Sequence, residues 1–239
     1  MGTSYNWAGD TIVRETVMWD KRAVLGYSGV FIPTDIREWI TFSDSEVIKR
    51  GLQEIDLPTA REAGTFDIRA WRIWDYVAKS VEYVVDKKAS GLEDFWLFPA
   101  ETLMLRKGDC EDSSFLLATL MLASGISEHC VRVVLGKVVS PDGAFGHAWV
   151  VYKNEEGVWC LLESTLDTVP SRLVPADPLA ATGGEHQYQP QFSLNAAHLW
   201  WIAPAKMQMA DYLKMRKRTL EIKAEIKPER EFRVASPRR

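Results

Sequence analysis

From residue 110 to residue 124 the apolar positions run almost all round a helix. Phe115, Leu116, Leu117, Ala118, Leu120, Met121 and Leu122 leave no wide polar stripe, as expected of a helix buried on every side. Both ends are marked. Asp109 is placed to N-cap the helix, Asp112 falls three residues later as in a capping box, and Gly125 can take the left-handed conformation that closes a C-terminus. A second helix is predicted from Asp67, where Ile68, Trp71, Ile73, Trp74, Val77, Val81 and Val84 recur near helical spacing up to the polar stretch Asp86-Lys87-Lys88. Pro99 is suited to open a short helix at its first position.

Beyond Gly125 the period changes. Val131 to Val139 is β-branched and ends at Ser140-Pro141-Asp142-Gly143, a turn signal. Gly146 to Lys153 and Val158 to Thr165 read as two strands joined by Asn154-Glu155-Glu156-Gly157, a hairpin. Leu199 to Ile202 reads as another strand. In the first sixty residues Val24 to Pro33 is a strand or loop, Thr34-Asp35 caps a short helix, and Ser43 to Ile55 holds another. Lys206 to Lys227 reads as a helix with a basic face. The chain thus divides into an N-terminal extension over residues 1–60 packing on the core, a catalytic domain over 61–204, and a basic C-terminal helix and tail over 205–239. Helices followed by antiparallel strands make the fold class α+β.

The chemistry gathers where these elements start and stop. Cys110 falls in the first turn of the buried helix, where free N–H groups and the helix dipole favour thiolate. Its acidic neighbours Asp109, Glu111 and Asp112 oppose that. A cysteine beside a buried helix can also simply pack, and the partners downstream decide between the two. His147 opens one strand of the hairpin and Glu163 closes the other, so antiparallel pairing brings them near each other. Cysteine, histidine and carboxylate in these places form a nucleophile, base and orienter. Register decides whether the last two meet, because side chains alternate across a strand. A symmetric loop would set Lys153 against Val158 and turn Glu163 away. A three-residue loop, Glu155-Glu156-Gly157, pairs Asn154 with Val158, with Gly157 left-handed, and puts Glu163 diagonal to His147 on one face. The second arrangement is the one expected.

Composition narrows the classes. With 239 residues, 46% hydrophobic and 26% charged, the chain is an ordinary globular one. A net charge of -4 gives no footing for nucleic acid. No apolar run is long enough to span a bilayer, and a basic start followed by an apolar block is missing at the N-terminus. Cys110, Cys130 and Cys160 do not suggest a disulfide framework, so a reducing, cytoplasmic setting is expected. Cys130 and Cys160 are read as structural and His129 as a surface residue; His186 and His198 fall in a segment with no clear pattern. Asp109, Glu111 and Asp112 offer oxygen ligands for calcium, although capping and dipole matching alone account for acids at a helix start. Cys110 and His147 lack the paired spacing of a zinc site.

Trp96 to Leu103, Gly108-Asp109-Cys110-Glu111-Asp112, Gly125-Ile126, His147-Ala148-Trp149-Val150, and Trp159 with Glu163 resemble the transglutaminase-like superfamily of papain-type cysteine enzymes. That family includes transglutaminases, peptide N-glycanases and microbial cysteine proteases. The resemblance covers roughly residues 65 to 170, with glutamate at 163 where the family usually has aspartate. It implies a papain-like fold with Cys110 as nucleophile, His147 as base and later acid, and Glu163 as orienter. It further implies an oxyanion contact from the Cys110 N–H, and Trp96 walling the acyl site. The implied activity is hydrolysis or exchange of peptide or isopeptide amide bonds through a thioester, on a peptide or protein substrate; from the charge and the apolar runs no nucleic acid or membrane partner is expected, and no obligatory cofactor is expected. Calcium sites occur in some relatives. The competing reading is a catalytically silent module of this fold that binds or assembles.

Overall fold

The computed structural model describes residues 11–13, 18–23, 31–40, 45–59, 62, 64–89, 95–141, 143–173 and 187–202. The expected basic helix and tail, and His186, lie outside them. Strands β1 (Thr11–Val13), β2 (Met18–Ala23) and β3 (Phe31–Asp35) come first. Asp35 caps a short 3₁₀ helix, Ile36–Trp39, by accepting from Arg37 N–H. Helices α1 (Glu46–Gln53) and α2 (Phe66–Ser80) follow, then β4 (Glu82–Tyr83), α3 (Asp86–Ala89), α4 (Pro99–Leu105) and β5 (Lys107–Gly108). The central helix α5 is Cys110–Ala123. Strands β6 (Val131–Ser140), β7 (Gly143–Lys153), β8 (Trp159–Leu162), β9 (Gln187–Leu194) and β10 (Leu199–Trp201) complete the described residues.

Helix α5 forms where its pattern places it. Asp112 accepts from the Asp109 N–H at 3.4 Å, the return half of a capping box. At the other end Gly125 has φ +95°, and the bonds Gly125 N–H to Leu122 O and Ile126 N–H to Met121 O close the helix in a Schellman motif. Arg69 of α2, itself buried, donates to Ser124 O at 2.9 Å, a cation where the dipole is negative. Residues 111 to 122 are buried without exception, polar ones included. One side of α5 meets α1, α2 and α4, the other meets β6 and β7.

The main sheet has the order β1-β10-β9-β6-β7-β8 and is antiparallel throughout. Val133, Val150, Tyr152, Leu162 and Leu194 face the main core with α5. Val134, Trp149, Val151 and Trp159 form a second apolar cluster on the opposite face, so the sheet is buried on both faces where it carries the site. This is the α+β, papain-like arrangement expected from the sequence.

The ends of α2 and β8 differ from the sequence reading. Helix α2 stops at Ser80 because Val81 turns extended, with φ -107° and ψ 113°. Glu82 and Tyr83 then pair in parallel with Lys107 and Gly108. Val81, Val84 and Val85 carry strand propensity that the helical spacing concealed. Strand β8 ends at Leu162, leaving Glu163 one residue beyond the sheet.

Candidate active site

The β7–β8 hairpin has the three-residue loop. Lys153 pairs with Trp159, and Asn154 N–H bonds to Val158 O at 2.9 Å. Gly157 takes φ +78°, a conformation that costs other residues roughly 1 kcal/mol or more. Extending that register places Glu163 against Trp149, hence on the face that carries His147. The histidine Nε2 lies 2.7 Å from Glu163 Oε2. Glutamate's extra methylene spans the diagonal that the backbone leaves open.

Glu163 is almost wholly enclosed and fully partnered. Oε1 accepts from the Thr165 N–H at 3.1 Å and the Thr165 hydroxyl at 2.7 Å. Oε2 accepts from the Tyr188 hydroxyl at 2.9 Å in addition to His147. Its main-chain oxygen accepts from Trp74 Nε1 at 2.8 Å. Burial pushes the Glu163 carboxyl up, but the His147 bond and charge, with the Thr165 donors, outweigh it and hold the group below the ordinary glutamate range. It is a carboxylate at neutral pH. With Nε2 engaged, Nδ1 is the imidazole nitrogen left to act on another group.

Tyr188 was not legible beforehand. It lies on β9, where Leu135 pairs with Phe192 but Gly136 pairs with Pro190. Gln191 is the extra residue of a bulge. Phe192 faces the main core while Tyr188, an even number of residues away, joins the opposite face. The bulge therefore aims Tyr188 at Glu163. Gly136 sits opposite His147 in β6. A Cβ there would come within 2.2 Å of Gln189 O and 2.9 Å of the Trp149 ring. Its absence lets the indole lie beside the strand, and the imidazole stacks on that indole with centroids 6.1 Å apart.

Cys110 begins α5 as expected, but its thiol is held differently from the sequence reading. Sγ donates to Glu111 Oε2 at 3.2 Å. Burial first, then Glu111 and Asp109, push the thiol well up; the backbone N–H of Ala148 acts the other way and offsets this only in part. Helix-dipole stabilisation of thiolate is thus outweighed by desolvation and two carboxyl groups. Ala148 follows His147 in β7 and lies beyond the last residue paired with β8.

The acids beside Cys110 form two clusters. Ligand atoms of Asp109, Cys110 and Glu111 lie within 4.8 Å of one another, as do those of Asp86, Asp109 and Asp112. Asp86 was not among the expected ligands; it lies at the start of α3 and accepts from the Phe95 N–H. Burial and then the Asp109 charge push both the Glu111 and the Asp112 carboxyls well above their usual ranges. Such buried acids fit a hard cation with oxygen ligands.

Trp96 requires correction. Its side chain is buried at 5% exposure, packed edge-on to Trp39 at 5.3 Å and against Phe115. It belongs to the core beneath α5 and does not wall an acyl site. Cys160 is buried in β8 and His129 is exposed, as expected.

Residues 58–164 match the family model described as the transglutaminase-like superfamily, and this part of the chain belongs to that superfamily. A search of curated proteins finds no match. Among solved structures the chain is similar to Legionella pneumophila LapG, with 19% identity, 72% of this chain and 83% of that chain covered, and a TM-score of 0.44. Calcium-bound LapG from the same organism gives 18%, 72%, 86% and 0.45. A proposed cysteine protease from Cytophaga hutchinsonii gives 18%, 74%, 57% and 0.38.

Proposed function

We propose that this chain is a cysteine-dependent hydrolase or acyltransferase that cleaves or exchanges amide bonds of a peptide or protein through a thioester on Cys110. The observation that carries the reading is the 2.7 Å contact between His147 Nε2 and a Glu163 carboxylate, made one residue from Ala148, whose N–H acts on the Cys110 thiol. Glu163 fixes the imidazole with Nε2 protonated, which leaves the Nδ1 lone pair to take the thiol proton. The same nitrogen, once charged, returns that proton to the leaving amine. Cys110 N–H, at the first helical position, has no partner within the helix and is available to the developing oxyanion.

A second reading, the silent module, draws on the thiol's bond to Glu111. Calcium bears on the choice. Asp109, Glu111 and Asp112, with Asp86 beside them, would hold the ion, and its charge would offset the anionic field that keeps the thiol protonated. Alkylation by iodoacetamide, followed residue by residue by mass spectrometry, separates the readings. With calcium, Cys110 is expected to react at least tenfold faster than with a chelator, and faster than Cys130 and Cys160. Cys110 inert under both conditions would support the silent module.

A further inference from the structure

We propose that Tyr83 is the second oxyanion donor of this site: its phenol O–H, with the Cys110 backbone N–H, receives the carbonyl oxygen when the thiol adds. The inference rests on the thiol-hydrolase reading above. Parallel pairing sets Tyr83 beside Gly108, two residues before Cys110, and Val84 N–H to Gly108 O at 2.9 Å ties the ribbon to the entry of α5. The ring is 53% exposed, unusual for a large aromatic beside a buried helix. It borders a cavity of about 600 Å³ whose wall includes Ser113, one turn on from Cys110, and Thr165, which holds Glu163. The cavity therefore opens next to the acyl-transfer residues.

Tyr83 lies within electrostatic range of those residues. Burial comes first, and then Cys110, Asp109, Glu111 and Glu163, each of which disfavours a phenolate when ionised. Together they push Tyr83 up to about 12, so at neutral pH the hydroxyl keeps its proton and can donate. Among the described residues the phenol has no hydrogen-bond partner, leaving the donor free for a ligand.

The Sγ–C bond forms as the C=O π pair moves onto oxygen, and the thiol proton passes to His147 Nδ1. The oxyanion accepts from Tyr83 O–H and Cys110 N–H, neither of which gives up its proton. On collapse the C–N bond breaks, and the imidazolium proton leaves with the amine. Tyr83 acts only while charge sits on oxygen, so its loss appears in acylation and not in reactions that form no oxyanion.

Two reagents separate these cases. Acetylation of Cys110 by p-nitrophenyl acetate passes through a tetrahedral oxyanion, whereas alkylation by iodoacetamide displaces iodide at carbon without one. Tyr83→Phe is expected to slow acetylation by about 10²-fold and to leave alkylation within about twofold, with the melting temperature unchanged. Unchanged acetylation would remove Tyr83 from the chemistry and leave the thiol-hydrolase reading standing. An equal loss in both reactions would make Tyr83 a packing residue. Wild-type Cys110 inert to both reagents, with calcium present, would overturn the thiol reading and this inference with it.

Discussion

Glu163→Gln is expected to lower the rate of Cys110 acylation by about 10³- to 10⁴-fold, the range seen when a triad carboxylate becomes an amide. The reason is the tautomer. With Thr165 donating twice to Oε1, the amide oxygen of glutamine stays on that side and its NH₂ turns toward His147 and Tyr188. The amide then donates to Nε2, the imidazole proton moves to Nδ1, and Nδ1 can no longer accept from the thiol. Stopped-flow acylation of wild type and variant measures this. The same substitution carries a stability signature. Glu163 ionises more readily in the folded chain than its ordinary value of about 4.3. Its contribution is therefore complete above that value and lost as pH falls through the lower folded value. Urea unfolding from pH 7 to pH 3 should show a smaller acid loss for Glu163→Gln than for wild type. Identical slopes would mean that the carboxylate is not preferentially ionised in the fold.

Trp74→Ala is expected to cost about 3–5 kcal/mol, the usual penalty for emptying a buried tryptophan site. Trp74 is 1% exposed in the main core, and its Nε1 also holds Glu163 O at 2.8 Å. Trp74→Phe separates the two roles. It keeps most of the ring volume but leaves a buried carbonyl unpaired, a loss of about 1–3 kcal/mol. Because that carbonyl belongs to the residue bonded to His147, the proposed function predicts that the phenylalanine variant also acylates more slowly at a temperature where it is fully folded. Denaturant midpoints give the first quantity and acylation below the transition gives the second. A Trp74→Phe variant as fast as wild type would show that Glu163 is positioned by its side-chain bonds alone.

How much of this was legible in the sequence depends on the range of the interactions. Helix α5 was readable because its caps, its all-round apolar pattern and Gly125 are local. The His147–Glu163 contact was readable because a loop of fixed length and one left-handed glycine set the register. Tyr188 was not readable: a bulge at Gln191, created by pairing with a strand more than fifty residues away, reverses which face it takes. Trp96 was misplaced because an aromatic near a motif looks the same whether it lines a cleft or, as here, fills the core against Trp39 and Phe115. For Cys110 the helix dipole and the opposing acids are local and visible in the sequence, whereas desolvation by the surrounding core is not. The ribbon holding Tyr83 escaped notice for a similar reason, since two-residue strands carry almost no pattern of their own.

The central claim is that Cys110 carries the acyl group and that His147 activates it. Mass spectrometry of the full chain, quenched with acid after brief exposure to p-nitrophenyl acetate with calcium present, tests this most directly. One acetyl group is expected, on Cys110 and removable by hydroxylamine, at least about 10³-fold slower to form in His147→Ala. Acetylation confined to Cys130 or to lysines, or Cys110 acetylated equally fast without His147, would contradict it.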